Sequence, residues 1–153
     1  FFSLCAARLG ARVYAFEPVP ESAARLRRMA QINGLPIQVV EAAAWDSDRG
    51  LELVRGPSDR ESRVREGGAV PSLTLDAFAA EHEPPDMLKV DVEGAEARVL
   101  AGAAGLLRER RPAVVCEVHG AEEGELVRGL LAGYEQTWSG PNRVVAVARK
   151  AGG

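Results

Sequence analysis

Short β-type segments alternate with helical segments along most of this sequence, and two β-type segments then follow one another at its end. That order constrains the fold more than any other feature. Strand–helix alternation implies right-handed crossovers and a parallel sheet covered by helices, and a closing hairpin adds one antiparallel strand. Residues 12–16 are rich in β-formers and stop at Glu17-Pro18, where proline discourages further pairing. Residues 21–33 have helical apolar spacing and end at Asn33-Gly34. Residues 36–41 read as a second strand, residues 51–54 as a modest one, and 56–68 as a solvated loop with almost nothing apolar to bury. Residues 72–76 lead into a short helix through 81, which Pro84-Pro85 ends. Residues 87–92 form the clearest strand of the first two-thirds, followed by one helix through 110 with a stripe at Val99, Leu100, Ala103, Leu106 and Leu107. Residues 112–118 are apolar enough for a strand covered on both faces, and a helix over 122–131 follows. The strands 134–138 and 143–148 are joined by the turn residues 139–142.

A length of 153 residues suits one domain, residues 1–153. The formal net charge of −3 argues against nucleic acid as a partner, since phosphate backbones require clustered Lys and Arg. No run reaches the roughly 18 apolar residues of a membrane span. Cys5 and Cys116 match no zinc spacing and read as small buried apolar groups in a reducing, cytoplasmic setting. Residues 1–9 have helical spacing with Gly10 as their stop, but no initiator Met or cap precedes them. They read as an internal helix whose upstream neighbour has been cut away.

In an open parallel sheet, ligands bind beyond the carboxyl ends of the strands. Those ends carry Glu17, the segment 42–45, Asp91 with Glu93, and Glu117 with His119. A carboxylate such as Glu17 can accept hydrogen bonds from both hydroxyls of a ribose, or simply be a solvated acid beside a proline turn. Asp91 leaves an apolar strand toward the ligand edge, Gly94 permits a tight turn, and Glu96 reads as a helix cap. Glu117 and His119 share one face of their strand. An imidazole suits general-base work, although neighbouring acids raise its pKa. His82 reads as loop surface, and Trp45 as core packing or the wall of a purine pocket.

The stretches VYAFEPVP (13–20), LTLD (73–76), LKVDVEGAE (88–96), VLAGA (99–103) and PAVVCEVH (112–119) together resemble the FkbM family of S-adenosylmethionine-dependent methyltransferases. The resemblance implies a Rossmann-like class I methyltransferase sheet, mostly parallel with a C-terminal antiparallel hairpin. It also implies methyl transfer to a hydroxyl of a sugar or other small molecule. Glu17 and Pro18 would border the ribose, Ala43, Ala44 and Trp45 the adenine, and Asp91 the methionine moiety or the acceptor. Glu93, Glu117 and His119, with Asp91, are the candidates for acceptor contacts and proton removal. Asp91, Glu93 and Glu117 offer oxygen donors of the kind Mg²⁺ takes, but their spacing demands no metal and none is expected. The family's first strand and glycine-rich loop have no counterpart here, so the domain is expected to be truncated at its N-terminus. Either this is a fragment of a longer gene product, or the strands ending at Glu17 and Asp91 close up and pair directly. A truncated remnant that binds no cofactor is the rival reading. A nicotinamide enzyme is a third, and the terminal hairpin and DVEGAE argue against it.

Overall fold

The computed structural model describes residues 1–54 and 63–148. Its elements run α1 (Phe2–Arg8), β1 (Val13–Phe16), α2 (Pro20–Ile32), β2 (Ile37–Val40), β3 (Ala43–Ala44), β4 (Leu51–Val54), β5 (Arg63–Glu66), β6 (Ser72–Leu73), α3 (Leu75–Glu81), β7 (Met87–Val90), α4 (Glu96–Ala101), α5 (Ala104–Glu109), β8 (Ala113–Glu117), α6 (Ala121–Leu130), β9 (Tyr134–Trp138) and β10 (Arg143–Ala148). The alternation and the closing hairpin expected from sequence are both present. β10 lies between β8 and β9 and is antiparallel to each, while β7 pairs with β8 in parallel. β1 and β2 form a separate parallel pair, and β3 with β6 another.

The largest core packs Val99, Leu100, Leu106 and Leu107 of α4 and α5, with Val127 and Leu131, against Val114, Cys116, Val144 and Ala146. These are the stripe residues of the helices and alternate residues of β8 and β10, so both periodicities converge on one layer. β8 is not covered evenly on both faces, however. Its burial alternates, and on the other face of β10 Val145 and Val147 remain exposed. No helix among the described residues is long and apolar enough to cross a membrane.

Four local expectations are corrected. The single helix expected through 110 breaks at Gly102 and Ala103. Gly102 lies so close to the Trp45 carbonyl that a Cβ there would sit 1.9 Å from its oxygen. The Asp76 carboxylate then accepts hydrogen bonds from Gly105 N (2.7 Å) and Leu106 N (2.8 Å), capping a new helix. Part of the expected solvated loop is strand β5, whose ladder with β4 rests on backbone groups that the side-chain pattern does not register. Residues 56–62 of that loop, and the tail 151–153, lie outside the described residues. Cys5 is exposed, whereas Cys116 is buried, with its thiol pushed up to about 12 by burial first and the Glu96 charge next. His82 is not loop surface: it stacks on Phe78 at 3.9 Å and joins Tyr14 in a half-buried aromatic cluster.

β1 and β7 do not close up. No backbone ladder joins them, and a cavity of about 780 Å³ lies between, lined by residues 13–17 on one side and 86–92 on the other. Arg12 and Glu83 pair across one end of this gap. Glu17 N reaches Val40 O at 3.0 Å, so alternation turns the N–H groups of Tyr14 and Phe16 away from β2 and toward the gap. Asp86 O serves Ala113 N at 2.9 Å, which likewise leaves Met87 and Lys89 facing the gap. Amide hydrogen exchange read by NMR should therefore be fast at Tyr14, Phe16, Met87 and Lys89 and slower at Ala15, Leu88 and Val90. Equal protection on both sides of each strand would mean that the gap is filled.

Candidate active site

Glu17 and Asp91 both line the cavity. Chain direction explains this: each acid is the first residue after a strand that flanks the gap. Glu17 Oε1 accepts a hydrogen bond from Val19 N at 2.9 Å, which steadies the turn into α2 and leaves Oε2 for a ligand. Asp91 is paired with Lys89 at 3.1 Å through one carboxylate oxygen.

The turn after Asp91 has an unusual backbone. Glu93 has φ 54° and Gly94 φ 95°, so two successive residues take the left-handed region. This reversal brings the Glu93 carboxylate to 3.4 Å from His119 Nε2. Donor atoms of Asp91, Glu93 and His119 all lie within 4.8 Å of one another. On its other side, His119 Nδ1 lies 2.7 Å from Oε1 of Glu96, which also accepts from Gly94 N at 3.0 Å. Glu96 is completely buried, 0 % exposed. It is the residue that sequence reasoning missed. Four residues separate it from Asp91, and only the φ reversal at Glu93 and Gly94 folds it back under the cluster.

Burial acts to lower the His119 pKa, but the Glu96 hydrogen bond and charge, with Glu93 and Asp91 behind it, outweigh burial and hold it above its ordinary 6.5. Proton uptake by the folded state thus stabilises the domain. That contribution is complete below pH 6.5 and is lost as pH rises through the higher folded value. In chelator-containing buffer, the melting temperature of the parent should fall across this window relative to that of His119→Gln. Parallel curves would show that the imidazole does not titrate as its neighbours require.

The other site residues expected from sequence are more dispersed. Ala44 lines the cavity, whereas Ala43 and Trp45 pack with Leu51 and Ala95 in a small separate core. Pro18, Glu93, Glu117 and His119 do not line the cavity. Glu117 sits 3.6 Å from Arg143 on β10, so only His119 of that pair joins the acidic cluster.

The model of the methyltransferase FkbM domain matches residues 2–136. The chain belongs to the FkbM methyltransferase family. The crystal structure of the methyltransferase FkbM from Methylobacillus flagellatus KT superposes with a TM-score of 0.59 at 18% identity, over 89% of this chain and 36% of that one. This FkbM-family chain therefore shares that fold and spans about a third of that protein's length. No curated protein matches it.

Proposed function

We propose that this domain binds S-adenosylmethionine at the carboxyl ends of β1 and β7 and transfers its methyl group to a hydroxyl of a small molecule or sugar. One observation carries the reading: Glu17 and Asp91, distant in sequence, line a single cavity. Its volume of about 780 Å³ falls within the range of small-molecule sites, roughly 300–1,000 Å³. Part of it is the trough between the edges of β1 and β7. The cofactor would occupy the part that the two acids line. Glu17 suits a ribose because its turn is already fixed through Oε1, so little ordering accompanies binding through the other oxygen.

When bound, S-adenosylmethionine supplies an electrophilic methyl group on its sulfonium. What remains for the protein is alignment and proton removal. Asp91 lines the cavity, where it can hold the acceptor hydroxyl and take its proton as the oxygen–carbon bond forms and the carbon–sulfur bond breaks. Alignment is the larger contribution, since orientation can outweigh the roughly 10²–10⁴-fold of a general base. His119 is held in place by Glu96, whose Oε1 lies 2.7 Å from its Nδ1.

The remnant reading is favoured by the open gap between β1 and β7, because a split sheet leaves the two acids on separate ladders. Calorimetric titration with S-adenosylmethionine separates the two readings. Saturable one-to-one binding supports the methyltransferase; heat of dilution alone supports the remnant.

A further inference from the structure

The geometry points to a divalent-cation site formed by Asp91, Glu93 and the Nε2 of His119, with Glu96 holding the imidazole from behind. Binding of the ion stands on this geometry alone; its part in catalysis, fixing an acceptor hydroxyl, rests on the methyl-transfer reading above.

Three observations converge. The donor atoms of the three residues lie within 4.8 Å of one another. Donors at about 2.0–2.2 Å from an ion sit about 3–3.5 Å apart, so a contraction of about an ångström completes the set. Asp91 and Glu93 are exposed side chains that can supply it. Second, the imidazole is already oriented as a ligand. Its Nδ1 is engaged by Glu96 at 2.7 Å, which leaves Nε2 toward Glu93, the carboxylate–histidine arrangement that fixes the metal-binding tautomer. Third, and independently of the donor spacing, Glu96 is fully buried and its Oε2 has no hydrogen-bond partner. A buried carboxylate left half-satisfied calls for positive charge beside it. Among the neighbours named here, Lys89 is a fixed cation, and it is engaged with Asp91. The carboxylates of Asp91, Glu93 and Glu96 outnumber it. A cation bound at Nε2 meets that excess through the same imidazole that Glu96 holds.

The donor set selects the ion. Two carboxylates alone suit Mg²⁺ or Ca²⁺, but an imidazole nitrogen shifts preference to a first-row transition ion such as Mn²⁺ or Zn²⁺. Glu117, the third donor considered from sequence, faces Arg143 instead and is not part of the set. With three protein donors, positions remain for water or an acceptor hydroxyl. A bound ion there polarises that oxygen and fixes its place next to the cavity that Glu17 and Asp91 line.

Mn²⁺ is the probe. Titration followed by the electron paramagnetic resonance signal of free Mn²⁺ should show one site per chain, and pulsed measurements should show ¹⁴N coupling from one imidazole. His119→Gln should abolish that coupling, and Glu93→Gln and Asp91→Asn should each weaken binding at least tenfold. These two replace exposed side chains, so they keep the test valid should a buried variant fail to fold. Glu96→Gln should weaken binding about 10–100-fold, as loss of an outer-shell partner does, while the ¹⁴N coupling persists at saturating Mn²⁺. No binding at millimolar Mn²⁺, or binding unchanged by Glu93→Gln and without ¹⁴N coupling, overturns the site. S-adenosylmethionine titrated into the same preparation keeps the two readings apart. Cofactor binding without a Mn²⁺ site removes only the cation, and Mn²⁺ binding without cofactor removes only the transfer reaction.

Discussion

Glu17→Ala should weaken S-adenosylmethionine binding by about 1.5–3 kcal/mol, the scale of hydrogen bonds to a charged group, or roughly 10- to 150-fold. The same variant also loses the acceptor for Val19 N and should lose about 1 kcal/mol of stability with it. Glu17→Gln divides these effects. Its amide oxygen can still accept from Val19 N, so the fold should keep its melting temperature, but the charge that favours two ribose hydroxyls is gone. Calorimetry on the three proteins should therefore rank affinity as parent above Gln above Ala, with only Ala showing a thermal deficit. Equal affinities would place the ribose elsewhere. A deficit confined to stability would reduce Glu17 to the solvated turn acid that its sequence context equally allows.

The second large effect is on stability. Glu96→Ala removes both hydrogen bonds that Oε1 accepts, from Gly94 N and at His119 Nδ1, and leaves a void under the DVEG turn. Breaking a buried ion pair costs about 3–5 kcal/mol when a charge is stranded. Here His119 is partly exposed and can shed its proton, so a loss near 3 kcal/mol is expected. For a domain of this size that corresponds to roughly 6–12 °C in melting temperature. The His119 pKa should fall back toward 6.5 at the same time, which an NMR titration of the imidazole reads directly. A variant as stable as the parent, with His119 unmoved, would show that Glu96 does not anchor the turn.

The parts of this fold that were legible in the sequence are those governed by periodicity. The stripe from Val99 to Leu107 and the alternation within 113–117 mark core faces because helix and strand repeat at different intervals. The strand-end acids could be singled out because parallel strands place their carboxyl ends together, and Glu17 and Asp91 both line one cavity. What was hidden depends on contacts between segments. The break at Gly102 arises from the Trp45 carbonyl and the Asp76 cap, neither of which a local window contains. Glu96 looked like an ordinary helix cap because burial of a carboxylate leaves no trace in composition. The division between His119 and Glu117 was likewise hidden. Both point to one side of β8, but Arg143 on the neighbouring strand draws Glu117 away while the DVEG turn reaches His119.

The most direct test of the account is titration of the parent chain with S-adenosylmethionine while the ¹H–¹⁵N signals of Glu17 and Asp91 are followed by NMR. Saturable shifts are expected at both residues with a single dissociation constant, since one ligand spans the ends of β1 and β7. Shifts at neither residue in millimolar cofactor, or at only one of them, would contradict it.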